Sequence, residues 1–273
     1  MSAVLTKDEF QEPMTLDVSQ TRNPPFLRLV GVELRKSYDT RSGFWLLMSM
    51  GILAVITLAI MTIVGVVNDN VEFAYEDFVA AIAFVTSVLL PVLGILLVTS
   101  EWSQRTGMTT FALSPHRLRV IMAKMVAGLA WTFVIIAFAL VVGAVVNLLY
   151  GAMEGEMAWR FGWEGLTGFV ITQSLAMLGG FALATLLLNS PAAIVAFFAY
   201  KWILPTLFAI GAALIGWFED LLPWIDFQTA QGPLYEMTNM DGEDFAHLLV
   251  SGAFWLGLPL AIGIWRVLRA EVK

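Results

Sequence analysis

TSEWSQRTGMTTFALSPHRLRVIMAK, residues 99–124, is the long charged interruption in an otherwise apolar first half, with four Lys/Arg against one Glu and long apolar runs on both sides. Read as a helix, Glu101 and Arg105 stand four apart with the acid first, the order that favours an ion pair within an isolated turn. Gly107 then loosens the segment. Ser114-Pro115 places a hydroxyl N-cap before a proline at the first helical position, which predicts that a longer helix starts there. Two helical pieces joined at a small residue would form a compact basic platform on a membrane surface. The plainer reading is a solvated loop whose charges only set topology.

Outward from this stretch the chain is apolar. Of its 273 residues 59% are hydrophobic and only 14% charged, with a mean hydropathy of +0.79, where a soluble domain carries about a quarter charged. Six apolar runs, approximately 44–67, 78–98, 120–149, 166–188, 192–218 and 248–265, each reach the ~18 residues a tilted membrane-spanning helix needs. An all-α integral membrane protein with a transmembrane domain over 44–265 follows. A helix starting at Pro115 would run about 35 residues, or roughly 52 Å, and outreach the bilayer core. Asn189-Ser190-Pro191 is another N-cap with proline at the first helical position, so the fourth and fifth spans should pack as an antiparallel hairpin.

Lys and Arg set the orientation. Lys7, Arg22, Arg28, Arg35, Lys36 and Arg41 precede the first span, Arg105, Arg117, Arg119 and Lys124 lie between the second and third, and Arg266, Arg269 and Lys273 follow the last. If six spans alternate, all thirteen share one side and only Arg160 lies on the other. The positive-inside rule then puts both termini in the cytoplasm. Outer loops are acidic, and the segment 219–247 carries a portion, LLPWIDF, apolar enough to dip back into the interface. The net charge of −7 therefore says little about partners, because the two sides differ in sign.

Residues 1–24 read as a disordered cytoplasmic tail, 25–43 as an amphipathic helix, and 266–273 as a cytoplasmic tail. On a wheel of about 100° per residue, Phe26, Leu27, Val30, Leu34 and Tyr38 fall on one face and Arg28, Arg35 and Asp39 on the other. Beside a span, such a helix should lie in the interface; packing on another subunit is the alternative. Lys201 is the one ionisable residue well inside a span. Its cost marks a translocation path or an interface, although a long side chain near the inner end can also snorkel. Ala176, Gly180 and Ala184 form a stripe of small residues that permits close helix approach, within one chain or between two. Gln173, Ser174 and Asn147 read as interhelical hydrogen-bonding groups.

Several functions are disfavoured. The absence of cysteine removes thiolate catalysis and Cys-based metal sites, and His116 and His247 fall on opposite sides. There is no Gly-Lys dipeptide and hence no Walker A loop. There is no Ser-His or paired-Asp arrangement at membrane depth, and no buried carboxylate for ion coupling. No catalytic, cofactor or metal residue is expected, and the chain is not expected to be an enzyme.

The helix before the first span, six spans with both ends inside, EWSQRTGMTTFALSPHRLRVIMAKM between the second and third, NSPAA before the fifth, and the tail RVLRAEVK together resemble the permease subunits of bacterial ABC-2-type ABC transporters. The resemblance covers nearly the whole chain from Phe26, and its most specific part is 101–124. It implies the ABC-2 (type V exporter-like) fold in the bacterial cytoplasmic membrane, a second permease copy or related permease, and separate ATPase subunits that bind ATP and Mg. It also implies a connecting helix containing Phe26, Arg28, Val30, Leu34, Arg35 and Tyr38, and a coupling helix over 101–113. Glu101, Arg105, Thr106, Thr109 and Arg117 would then couple to the ATPase. The function implied is export of an amphipathic or hydrophobic compound such as a drug, an antimicrobial peptide or a lipid-like molecule. A membrane sensor or scaffold without transport is the alternative.

Overall fold

The computed structural model describes residues 24–68, 70–103, 117–154, 157–236 and 240–269. Among these residues every regular element is helical. α1 (Phe26–Asp39) ends at Thr40, whose extended backbone turns the chain and whose hydroxyl accepts from the Gly43 amide to cap α2 (Arg41–Val67). The turn is tight: a Cβ on Gly43 would lie 1.7 Å from the Ser37 carbonyl oxygen, so only glycine is tolerated. α3 (Tyr75–Ser103), α4 (Arg117–Glu154) and α5 (Trp163–Leu187) follow. At 38 residues, α4 is about 57 Å long and exceeds a bilayer core.

The fourth and fifth spans form the expected hairpin. Leu188 adopts the left-handed conformation that ends α5, and the Asn189 side chain accepts from the Ala192 amide to start α6 (Ser190–Phe198). Pro191 therefore sits one place later than a proline directly after its cap. A π-helical turn, Ala199–Ile203, joins α6 to α7 (Leu204–Leu214). The fifth span ends at Leu214, not at residue 218. Ile215 is extended, and α8 (Gly216–Ile225) doubles back so that Phe218 meets Phe208 with ring centroids 6.0 Å apart. α9 (Phe227–Ala230) and α10 (Gly232–Glu236) lead to α11 (Gly242–Gly252), a second π turn (Ala253–Gly257) and α12 (Leu258–Arg269).

Six helical stretches are long and apolar enough to cross a membrane: Arg41–Val67, Tyr75–Glu101, Arg117–Met153, Trp163–Leu187, Ser190–Leu214 and Gly242–Arg269. These are the six expected runs with shifted ends, and they fit a multi-pass membrane protein. α3 is the axle of the bundle. Its apolar window is 56% buried, against 11% for the fifth and sixth spans, and it packs on α2, α4, α5 and α6. One core, around Leu90, Leu93, Ile95, Met177 and Phe181, fills the half of the bundle nearer the start of α2 and the end of α12. A second, around Leu58, Phe78, Ile82, Tyr150 and Phe169, fills the other half.

Polar side chains tie the helix ends at each pole. At the first, Arg117 donates to the Val267 carbonyl, Arg266 to the Leu186 carbonyl, and the Ser190 hydroxyl to Thr99 Oγ1 at 2.7 Å. At the other, Asn147 donates to the Ala158 carbonyl and Arg160 lies 3.8 Å from Glu76. Gln173, buried in α5, donates to the Ala83 carbonyl and accepts from Thr86, pinning α5 to α3 as an interhelical group should. Ser174 instead bonds within its own helix, to the Val170 carbonyl.

Candidate functional site

Four charges meet where α1 crosses the ends of α3 and α4. Lys124 Nζ on α4 lies 2.6 Å from Glu33 Oε2 on α1 and 3.1 Å from Glu101 Oε1 on α3. Lys36 Nζ lies 2.9 Å from Glu33 Oε1 and 2.8 Å from Glu101 Oε1. The side chains of Glu33, Glu101 and Lys124 are 6%, 8% and 6% exposed, while Lys36 is 43% exposed and forms the lid. Two acids and two bases cancel, so the cluster has no net charge to desolvate; it has four individual ones, and each needs its partners. Burial alone pushes Lys36 down, but its hydrogen bond to Glu101 and the charges of Glu33 and Glu101 outweigh that and hold it above the ordinary lysine value. Its contribution is therefore fully present below the ordinary lysine pKa and is lost only as pH rises through the higher folded value.

The junction continues along α1. Trp131 Nε1 on α4 donates to Ser37 Oγ at 2.6 Å, and the Tyr38 ring meets Trp131 edge-on. Arg119 donates to the Pro24 carbonyl, tying α4 to the start of α1. One helix is thus fastened to the two spans that precede and follow residues 104–116.

The face that α1 turns inward differs from the expected one. Val30, Glu33 and Ser37 are buried, with Phe26, Leu29 and Leu34 half-buried beside them, whereas Leu27 is 79% exposed and Tyr38 46%. The packed stripe is rotated by roughly 50° from the purely apolar one, taking 100° per residue. Glu33 and Ser37 enter the packed face because Lys124 and Trp131 satisfy them there. Leu27 and Tyr38 are left as an exposed apolar flank, Tyr38 with one ring edge against Trp131, and Arg28 and Arg35 remain exposed.

Of the expected coupling residues, Glu101 is a member of the cluster, joined to Lys36 and Lys124. Arg117 braces α4 against the sixth span. Arg105, Thr106 and Thr109 lie outside the described residues, as do Gly107 and the Ser114-Pro115 step. Glu33 was not singled out by sequence, although its spacing of three from Val30 and four from Ser37 places it on their face.

Lys201 occupies a second polar spot, in the π turn of the fifth span. Pro205 has no N–H, so the carbonyls of Tyr200 and Lys201 lose their helical donors. Gln228 Nε2, from the returning outer segment, donates to both, at 3.1 and 2.8 Å. Asp226 starts that segment's short helix α9 by accepting from the amides of Gln228 and Thr229. The segment after LLPWI thus descends into the bundle beside Lys201 and goes deeper than an interfacial dip. α10 packs on α5, and Trp255 Nε1 of the second π turn donates to the Ile225 carbonyl at 2.7 Å. Replacing Gln228 with Leu would strand two buried carbonyls, at about 1–3 kcal/mol for a lost partner. The expected outcome is a lower unfolding temperature in mild detergent, measured against Gln228→Glu, which keeps the size but not the donor and should fall as far.

Two cavities of about 390 and 360 Å³ meet at this point, and both are lined by Ser87, Lys201, Gln228 and Tyr235. Among known proteins, the chain matches no family model and no curated protein.

Proposed function

We propose that the chain is the membrane-spanning subunit of an ATP-driven exporter of the ABC-2 type, in the bacterial cytoplasmic membrane with both termini inside. It would pair with a second permease copy or a related permease, and with separate ATPase subunits that hold ATP and Mg. The observation that carries this reading is the four-charge junction. A push on α1 or on residues 104–116 reaches both the second and third spans, because Glu33, Lys36, Glu101 and Lys124 lock the three helices together. Force transmission needs such a stiff, buried link, whereas a loop that only set topology would leave its charges in water.

The exposed Leu27 and Tyr38 flank gives α1 an apolar edge for the acyl boundary, beside its Arg28 and Arg35 edge and about 80° from it at 100° per residue, in keeping with an amphipathic interfacial helix. The cargo is an amphipathic or hydrophobic compound, for which the mostly apolar cavities beside Lys201 provide room. Glu101 and Arg117 transmit, and Arg105, Thr106 and Thr109 make the docking contact.

Pull-down of the tagged chain in mild detergent, followed by mass spectrometry, tests the partner. A soluble ATPase in stoichiometric amount is expected; its reproducible absence with the protein folded favours the sensor or scaffold. In the reconstituted complex, Glu101→Gln and Arg105→Ala are expected to lower cargo-stimulated ATP hydrolysis by about tenfold while membrane insertion is unchanged. The figure is that for loss of one charge-assisted bond, about 1.5 kcal/mol. Normal stimulation in both variants would remove the coupling assignment.

A further inference from the structure

Lys201 lines both cavities, and its ammonium has no hydrogen-bond or ion-pair partner among the described residues. It lies eleven places beyond Ser190, at the start of the span, about 17 Å into a bilayer core some 30 Å thick. An unpaired cation at that depth costs several kcal/mol and is retained where something answers it. The nearby acids are engaged elsewhere. Glu76, which lines one cavity, faces Arg160, and the Asp226 carboxylate takes the Gln228 and Thr229 amides and the Thr229 hydroxyl.

The shared wall can be read donor by donor. Both Gln228 Nε2 hydrogens are spent on the Tyr200 and Lys201 carbonyls, and the Ser87 hydroxyl is spent on the Phe84 carbonyl. That leaves the Lys201 ammonium and the Tyr235 hydroxyl as the donors of the shared wall facing an incoming group. Away from them the walls are mostly apolar, with Leu183, Leu204 and Leu207 in one cavity and Val79, Phe84 and Phe169 in the other, while Glu76 in the second faces Arg160. A hard anion alone would leave those walls unused, and a neutral hydrocarbon would leave the cation uncompensated.

We propose that this chamber binds an anionic amphiphile, its phosphate or carboxylate head held by Lys201 and Tyr235 and its alkyl part lying in the two apolar lobes. The site stands whether or not an ATPase partners the chain; that its occupant is exported cargo rests on the function proposed above.

Native mass spectrometry of the whole chain in neutral detergent tests the site without ATP. The probes are phosphatidylglycerol and phosphatidylcholine of equal acyl length, and dodecyl phosphate against dodecyl maltoside. The wild type is expected to retain the anionic member of at least one pair about tenfold over the neutral one, Lys201→Arg to keep that preference, and Lys201→Met to lose it. Tyr235→Phe, which removes only a hydroxyl, is expected to lose about threefold and serves if Lys201→Met does not fold. Preference for phosphatidylglycerol alone identifies a bilayer lipid as occupant, and for dodecyl phosphate alone a free amphiphile; either supports the site. Equal retention of anionic and neutral probes by the wild type, or unchanged preference in both Lys201→Met and Tyr235→Phe, overturns it. A failed pull-down with an intact preference removes the exporter and leaves the site.

Discussion

Lys124→Met is expected to destabilise the protein by about 3–5 kcal/mol, the cost of breaking a buried ion pair from one side. The variant should unfold at a markedly lower temperature in mild detergent. The reason is arithmetic of charge. Lys124 and Lys36 balance Glu33 and Glu101; without Lys124, two buried carboxylates share one lysine that is itself 43% exposed. Removing one charge of each sign gives a different result. Glu33→Leu combined with Lys124→Met leaves the Lys36 and Glu101 pair intact at 2.8 Å and fills the space with hydrocarbon, so most of the lost stability should return. The same double variant separates strength from transmission. If the junction transmits force, it should fold like the wild type and still couple poorly, because α1 has lost its charged link to α4. A single Lys124→Met variant that melts with the wild type would show that these groups are not held as a buried set.

Why this junction escaped a reading of the sequence is a matter of distance along the chain. Glu33 and Lys124 are 91 residues apart, and each looks locally like an ordinary solvated charge, one on a polar helix and one on a basic platform. Local periodicity sets the apolar stripe of α1, but the stripe that packs is chosen by what lies opposite, and a lysine and an indole N–H opposite it favour Glu33 and Ser37 over Leu27. The spans were legible because length and apolarity suffice for them, and a cap before the fifth span was legible because its partner is three residues away, although it falls on Asn189 and leaves Pro191 at the second helical position. The end of the fifth span was not. Trp217 and Phe218 are as apolar as the helix before them, and only the extended Ile215 and the return of Phe218 onto Phe208 divide them. Lys201 stood out by composition alone; its cavity needed the Gln228 contact from a segment 27 residues later.

Gly180→Ala is expected to be as damaging as any single core substitution in the chain, although it adds one methyl. The new Cβ would stand 2.1 Å from the Pro91 carbonyl oxygen and 2.6 Å from the Pro91 carbonyl carbon and Cα. These are backbone atoms of the central span and cannot swing aside as a side chain would. The same crossing is tight from the other direction, since a Cβ on Gly94 would meet the Met177 carbonyl oxygen at 2.6 Å. Gly180 of the small stripe therefore serves a contact within the chain, between α5 and α3, and Ala184, one turn on, is fully buried. Relief requires the two helices to part, opening the core around Leu90, Met177 and Phe181 and stretching the Gln173 bonds to Thr86 and Ala83. Overpacking of this kind costs about 1–3 kcal/mol and more where backbone must move, so a loss of about 3 kcal/mol or more is expected in thermal unfolding. Gly179→Ala is the control. A Cβ there meets nothing within 4 Å, so it should hold or gain up to about 1 kcal/mol from helix propensity. Equal melting of the two variants would mean that α3 and α5 do not cross this closely. The same separation would also reach the junction and the cavity, because α3 carries Glu101 at one end and Ser87 midway, so Gly180→Ala should weaken both the ion cluster and the preference for an anionic amphiphile even in the fraction that folds.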